Sequence, residues 1–286
     1  MTRPLVVDAF CFNNELDLLE MRLTELFDVV DYFVLVESPR DHQDHPKPLH
    51  YQGNKDRYAA WADKIVHVVT DDMPTREQDN DPWAREHAQR EGIGAGLAQI
   101  EGVGNDTLVM QSDVDEVPHP FNVNSLRIAR PIGLWSFAQR GHFFAIDWLY
   151  DAPWFGTVVG PVSAIRKFHR TPFAYMRDNR LHCANPLHLR DAGWHFSWLG
   201  EPDDHMRKVG SFCHPEILQK APVSGVEHDV ETALSIGEFK RLGIHVDGRK
   251  MFPIDVNPEE RRANGTFTWP QFIREGKAPQ SWYRPR

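Results

Sequence analysis

The first 118 residues switch repeatedly between two hydrophobic periods, and few folds accept that pattern. Residues 5–10 (LVVDAF), 29–36 (VVDYFVLV), 64–69 (KIVHVV) and 107–111 (TLVMQ) are short apolar runs. Continuous apolar runs of this length suit strands covered on both faces, as in a parallel sheet. Between the first two, Leu16, Leu19, Leu23, Leu26 and Phe27 recur at helical spacing after Asn13-Asn14-Glu15, which reads as an Asn cap followed by acids. A helix is expected near 54–63, and another from about 83 to 100, opened by Pro82 at a first-turn position. The order β-α-β-α-β-α-β predicts an α/β fold with a mostly parallel central sheet flanked by helices. In such sheets ligands sit beyond the carboxyl ends of the strands. That rim gathers residues 8–13, Glu37-Ser38 and residues 113–116.

Residues 1–118 therefore read as the α/β, ligand-binding half of one domain that runs to residue 250 (the donor-binding half, on the resemblance given below). Residues 119–250 are more aromatic and strand-like, with runs at 133–137, 142–146, 154–162 and 192–198. Residues 251–286 form a polar, Pro-rich extension expected to wrap the domain or to be partly mobile. GIGAG (92–96) lies inside a helical pattern and does not follow a strand, so it is not a dinucleotide loop.

The sharpest local chemistry is Asp113-Val114-Asp115 at the end of the fourth apolar run. Alternate residues of extended backbone point the same way, so both carboxylates can face one hard cation such as Mg²⁺ or Mn²⁺. An isolated DxD is usually a solvated turn; its delivery by a buried strand to the ligand rim favours function here. His195, between Trp194 and Trp198 in GWHFSW, would serve as a third ligand, against the alternative of a structural core histidine. The following segment, 199–216, offers Asp203, Arg207, Lys208, His214 and Glu216, and reads as a loop able to close over a diphosphate or as a charged surface helix. His42, His45 and His50 lie in a Pro-broken stretch without metal-ligand spacing and read as a solvated loop. Arg85 and Arg90, on the helix before the DxD strand, read as surface or ion-paired residues, one of which could reach a phosphate. No GxSxG serine-hydrolase motif is present.

Composition narrows the partners. Lys+Arg 32 against Asp+Glu 41 leaves a net charge of −9, which excludes a broad nucleic-acid-binding surface. The 15 histidines and 9 tryptophans suit metal or proton work and sugar stacking. No signal peptide and no apolar stretch of membrane-spanning length is present, so a cytoplasmic location is expected. Cys11, Cys183 and Cys213 read as packed thiols in a reducing compartment.

The stretches DAFCFNNELDLLEMRL (8–23), VVDYFVLVES (29–38), SDVDEVP (112–118), AGWHFSW (192–198) with Lys208 beyond it, and GIHVDG (243–248) together resemble glycosyltransferase family 17. The resemblance implies a GT-A type nucleotide-sugar fold and an inverting transferase. It also implies a UDP-sugar donor, UDP-N-acetylglucosamine, with Mn²⁺ or Mg²⁺. Asp113 and Asp115 then correspond to the metal- and donor-binding DxD, and His195 to a late metal ligand. The chain is expected to lack the membrane anchor and stem of the family's animal members, and its acceptor is expected to be a glycan or glycoconjugate.

On this reading Lys208, Arg207 or Arg85 adds positive charge near the phosphates. Phe10, Phe12 and Glu37, at the first two strand ends, contact uracil and ribose, and Trp148, Trp154 and Trp198 form an acceptor platform. A carboxylate must deprotonate the acceptor hydroxyl; Glu216, Asp147 and Asp203 are the candidates, with Glu216 preferred. Two competing classes remain. A metal-dependent phosphoesterase or nucleotidyltransferase calls for a second close metal, and the sequence offers one carboxylate pair. A catalytically silent carbohydrate-binding protein would have no use for the DxD and His195.

Overall fold

The parallel strands expected of the first half are present, at nearly the expected places. A computed structural model describes residues 3–168, 170–182, 189 and 191–285, side chain 215 excepted. The chain runs β1 (Val6–Phe12), α1 (Leu16–Leu26), β2 (Tyr32–Glu37), α2 (His50–Gly53), β3 (Ile65–Val69), α3 (Pro82–Leu97) and β4 (Leu108–Asp113). There follow β5 (Glu116–Pro118), α4 (Pro120–Ala129), β6 (Trp135–Phe143), β7 (Trp148–Pro161), α5 (Val162–Ile165) and α6 (Pro172–Asp178). The last elements are β8 (Gly193–Ser197), α7 (Pro202–Ser211), α8 (Val230–Ser235), α9 (Glu238–Leu242), β9 (Phe252–Pro253) and α10 (Gln271–Arg274). The helix expected near 54–63 is a 3₁₀ helix, Lys55–Lys64.

All strands belong to one sheet, ordered β3-β2-β1-β4-β7-β6-β8-β5, with β9 on β7. Strands β3, β2, β1 and β4 are parallel, whereas β7 runs antiparallel to both β4 and β6. Strands β6 and β8 are parallel, and β5 closes the order antiparallel to β8. Strands β4 and β5 are separated in the chain by Val114 and Asp115 alone. That connection reaches at most about 11 Å. The sheet must therefore curl until its far edge returns to β4, and the DxD turn is the point of closure.

Alternation along the strands fills both faces. Val6, Phe10, Phe12, Phe33, Leu35 and Met110 pack with Leu19, Leu23 and Leu26 of α1. Val7, Ala9, Val34, Val36 and Val109 pack with Ile93 of α3. The GIGAG glycines set that second distance: a Cβ on Gly96 would lie 2.3 Å from Val34 Cγ1, and one on Gly92 2.8 Å from Val36 Cγ1. They let α3 lie close on β2.

Two expectations change here, and one of two open readings, the helix after β8, is the one found. The cap of α1 is Glu15, not an Asn; its carboxylate accepts from the Asn13 and Asn14 backbone N–H groups at 3.2 and 2.9 Å. The segment after β8 is the ordered helix α7, with Asp204 accepting from the Glu201 N–H at 2.9 Å. The run expected over 142–146 breaks where β6 ends, because Phe144 takes a left-handed φ of 65°. The C-terminal extension wraps the domain: Trp269, Phe272, Ile273 and Trp282 bury against Leu18 and Met21 of α1 and Trp194 and Phe196 of β8. Cys11 and Cys213 are free thiols; Cys183 lies outside the described residues. No helix among the described residues is long and apolar enough to cross a membrane.

Candidate active site at the sheet closure

The closing turn is held from beneath by one arginine. Arg22 sits on the apolar face of α1, between Leu19 and Leu23, with no exposed surface. It meets buried Asp8 of β1 through two 2.7 Å hydrogen bonds. Its remaining N–H groups go to Ser112 Oγ (2.5 Å) and to the carbonyls of Asp113 (2.9 Å), Val114 (3.3 Å) and Glu116 (2.9 Å). A planar five-donor fork can serve so many acceptors at once, and a lysine cannot.

Above the turn runs a chain of alternating charge. Glu86 accepts from Arg90, both on α3, and Arg90 reaches Asp113 Oδ1 at 2.6 Å. Arg177 of α6 holds Asp113 Oδ2 at 2.5 Å and both Glu116 oxygens at 2.8 and 2.9 Å. Glu116 is pinned further by Trp154 Nε1 (2.8 Å) and the Asp113 N–H (2.8 Å). Burial opposes ionisation of Asp113, but Arg177 and Arg90 outweigh it and hold the carboxyl far below its ordinary range. The Arg90 Nη1 is buried with no partner among the described residues.

Asp115 faces a second group. Its Oδ2 lies 3.5 Å from His195 Nε2 and 3.5 Å from Lys208 Nζ. Burial again raises the Asp115 pKa, and His195 and Lys208 reverse that, leaving it lowered. Strand pairing sets His195 opposite Glu116, and its ring stacks on Trp154 at 4.3 Å. Lys208 reaches back from α7 to Ser197 Oγ at 2.9 Å. The bend that returns α7 to the site is Trp198, at a left-handed φ of 59°. Backbone strain of this kind concentrates where surrounding structure fixes a functional geometry.

A hard divalent cation fits part of this group. His195 Nδ1 is buried with no partner among the described residues, and Nε2 meets Asp115 at a separation longer than a good hydrogen bond. One carboxylate oxygen and one imidazole nitrogen so placed suit Mn²⁺ or Mg²⁺. Asp113 does not fit as found, because each of its oxygens already holds a guanidinium.

Several expected donor contacts are corrected by burial. Phe10 and Phe12 are core residues under α1 and present no face to a ligand. Glu37 is wholly buried, accepting from the Tyr51 N–H (3.0 Å) and meeting His67 (3.1 Å). Arg85 is 1% exposed and donates to the carbonyls of His42 (2.6 Å) and Asp79 (2.7 Å), so it braces a loop and offers nothing to a phosphate. Arg207 is exposed and pairs with Asp204 at 2.7 Å.

Among the described residues, no hydrogen bond or ion pair joins Glu216, Asp147 or Asp203 to Asp115, His195 or Lys208. Glu216 is exposed and held by His214 at 2.7 Å. Asp147 is taken by the Arg284 side chain (2.8 Å) and N–H (2.9 Å). Asp203 is in the first turn of α7. Trp148 is covered by the Arg284 guanidinium, 4.9 Å from its centroid, and Trp198 is buried, so Trp154 is the expected platform residue that reaches the site.

Sequence reasoning missed Arg22, Glu116, Arg177 and the pairing of Arg90 with Asp113. Arg22 carried a readable signal, being a charge in the i, i+3, i+4 row of an apolar helix face. Arg177 carried none.

Comparison with known proteins bears on this arrangement. The family model described as Glycosyltransferase family 17 matches residues 1–234, which takes in every residue of the closing turn, β8 and α7. A rat protein named beta-1,4-mannosyl-glycoprotein 4-beta-N-acetylglucosaminyltransferase is 25% identical over 282 residues, covering 89% of this chain and 51% of its own. The human protein of that name is 25% identical over 225 residues, covering 69% of this chain and 41% of its own. The chain thus spans about half the length of the curated relatives it matches. Among solved structures, HddC from Yersinia pseudotuberculosis is 11% identical and covers 68% of this chain and 90% of its own, with a TM-score of 0.36.

Proposed function

The chain belongs to glycosyltransferase family 17, and from that premise we propose that it transfers N-acetylglucosamine from UDP-N-acetylglucosamine to a hydroxyl of a carbohydrate acceptor, with inversion, on a GT-A type sheet. The names of the rat and human relatives support the sugar transferred. The observation that carries the reading is the convergence of Asp115, His195 and Lys208 beyond the carboxyl end of β4.

In this reading Asp115 and His195 would hold Mn²⁺ or Mg²⁺, which would supply Lewis-acid stabilisation of the charge that develops on the departing UDP oxygen. Lys208, whose side chain is 31% exposed, donates to a phosphate oxygen from the facing helix. A diphosphate that draws Arg90 or Arg177 toward itself frees an oxygen of Asp113, so Asp113 joins the site as the donor arrives. Trp154 fixes the His195 ring by stacking and offers its indole edge of the site to sugar. Glu216 is our assignment for acceptor deprotonation. Burial raises its pKa, but the hydrogen bond from His214 and other contacts outweigh that and leave the carboxyl below its ordinary range, hence ionised. Asp147 is already neutralised by Arg284.

The test is a thermal-shift series with UDP-, GDP- and dTDP-sugars, each with and without Mn²⁺. A ligand that binds only the folded state raises its melting temperature by mass action. UDP-N-acetylglucosamine with Mn²⁺ should stabilise the wild type, and Asp115→Ala should remove that shift while its ligand-free melting remains cooperative. Equal stabilisation of Asp115→Ala would overturn the assignment.

A further inference from the structure

We propose that His42, Glu86 and Cys213 form a binding site for a borderline-soft divalent cation such as Zn²⁺, separate from the Asp115–His195 pair. One ligand atom from each of the three lies within 4.8 Å of the other two. Nitrogen, thiol sulfur and carboxylate oxygen together are a zinc donor set, and three protein ligands leave a fourth position to water. The sequence concealed it: His42 sits in a Pro-broken loop, Glu86 on α3 and Cys213 beyond α7, with no spacing motif connecting them.

The three positions are fixed by backbone contacts. The His42 N–H donates to the Ser211 carbonyl at 3.1 Å, and Gln43 Nε2 donates to the Phe212 carbonyl at 2.7 Å. Arg85 grips the His42 carbonyl from α3 at 2.6 Å. The loop, α3 and the end of α7 are thereby stapled together around the cluster. Inside it, the Cys213 thiol donates to Glu86 Oε2 at 2.6 Å, and His42 Nε2 meets Gln89 Oε1 at 2.8 Å. A cation would take the place of the thiol proton, which leaves to solvent as the Cys213–Glu86 hydrogen bond becomes a shared ligand edge. His42 would exchange Gln89 for the metal. Glu86 has an oxygen to spare, because Arg90 Nε and Nη2 both use Oε1 and leave Oε2 to the cluster. Glu86 and Cys213 are buried, while His42 is half-buried and gives the ion an approach from the loop side.

The site also touches the candidate active site at one remove, since the Arg90 that holds Glu86 Oε1 holds Asp113 Oδ1 as well. That connection lets occupancy of one site bias the other, although binding itself requires nothing of glycosyl transfer.

The experiment is titration of the full, chelator-treated chain with Co²⁺ alone, read by near-ultraviolet thiolate-to-cobalt charge-transfer absorption, followed by displacement with Zn²⁺. One equivalent should produce the band, and Zn²⁺ should bleach it. Cys213→Ser should lose the band, and His42→Ala, on a loop and safe for folding, should weaken Co²⁺ binding and alter the band. Cys11→Ser/Cys183→Ser and Asp115→Ala should both retain it. Absence of the band from the wild type, its survival in Cys213→Ser, or indifference to His42→Ala would overturn the proposal. Loss of the band in Asp115→Ala would do so too, because the proposed site is separate from the Asp115–His195 pair.

Discussion

Replacing Arg22 tests the idea that one buried guanidinium shapes the closing turn. Arg22→Met leaves Asp8 buried with its two 2.7 Å bonds gone. Breaking a buried pair from one side costs about 3–5 kcal/mol, a large share of the roughly 5–15 kcal/mol that holds a domain folded. That loss alone would not distinguish a turn clamp from an ordinary buried ion pair. The double variant Asp8→Val/Arg22→Met does. An ion pair acting alone can be exchanged for apolar residues at little or no cost. Here the exchange also strips donors from the Val114 and Glu116 carbonyls and from Ser112 Oγ, at about 1–3 kcal/mol for each buried acceptor left unsatisfied. The double variant should therefore remain at least about 2 kcal/mol less stable than wild type. Arg22→Lys should keep the fold and still weaken Mn²⁺-dependent UDP binding, because an ammonium cannot reach Asp8 and the turn carbonyls together. Equilibrium urea unfolding followed by circular dichroism gives the stabilities. A double variant within about 0.5 kcal/mol of wild type would refute the clamp.

Three further outcomes follow from the packing and charge. Lys208→Met should lower donor turnover and donor affinity while changing the ligand-free melting temperature little, and Lys208→Arg should recover part of both; donor-dependent kinetics and thermal shift read them separately. Gly96→Ala gains about 1 kcal/mol of helix propensity but forces a Cβ to 2.3 Å from Val34 Cγ1. Overpacking costs about 1–3 kcal/mol, so urea unfolding should show a net loss, and a more stable variant would contradict the close fit of α3 on β2. Burial opposes ionisation of Glu86, but Arg90 carries its pKa down from 4.5 to about 2. A depressed carboxylate stabilises the fold above its unfolded value and loses that contribution as pH falls through the folded one, between about 4.5 and about 2. Asp113 and Asp115 act in the same direction. Unfolding free energy measured across that range should fall less steeply in Glu86→Gln than in wild type.

How far the sequence could be read depended on how local each cause was. The parallel half was legible because a strand buried on both faces must be a continuous apolar run, and 29–36 and 107–111 are such runs. The helical setting of GIGAG is legible in the sequence and found in α3, yet the packing role of its glycines needs Val34 and Val36, some sixty residues earlier in the chain. Phe10 and Phe12 were misassigned because a strand end near a ligand rim was taken for an exposed one; α1 covers both. The curl of the sheet was invisible, since β5 is three residues long and its partner β8 lies beyond residue 190. Without the curl, nothing in the sequence brings Arg177 to Asp113.

The charge arithmetic takes a different meaning once that curl is known. A net charge of −9 argues against an open basic surface, yet the nucleotide diphosphate we propose as donor would need cations. The chain pairs its arginines with carboxylates: Glu86, Arg90, Asp113, Arg177 and Glu116 alternate in sign through contacts that are buried except at Asp113, which is part-exposed. Left alone, two buried guanidinium groups near one point would repel and would cost desolvation with no partner. Asp113 between them removes both problems, and in the proposed reaction a phosphate would take its place. The two carboxylates of the DxD motif are thus placed differently two residues apart. Asp115 faces His195 and Lys208 across the curl, while Asp113 holds Arg90 and Arg177.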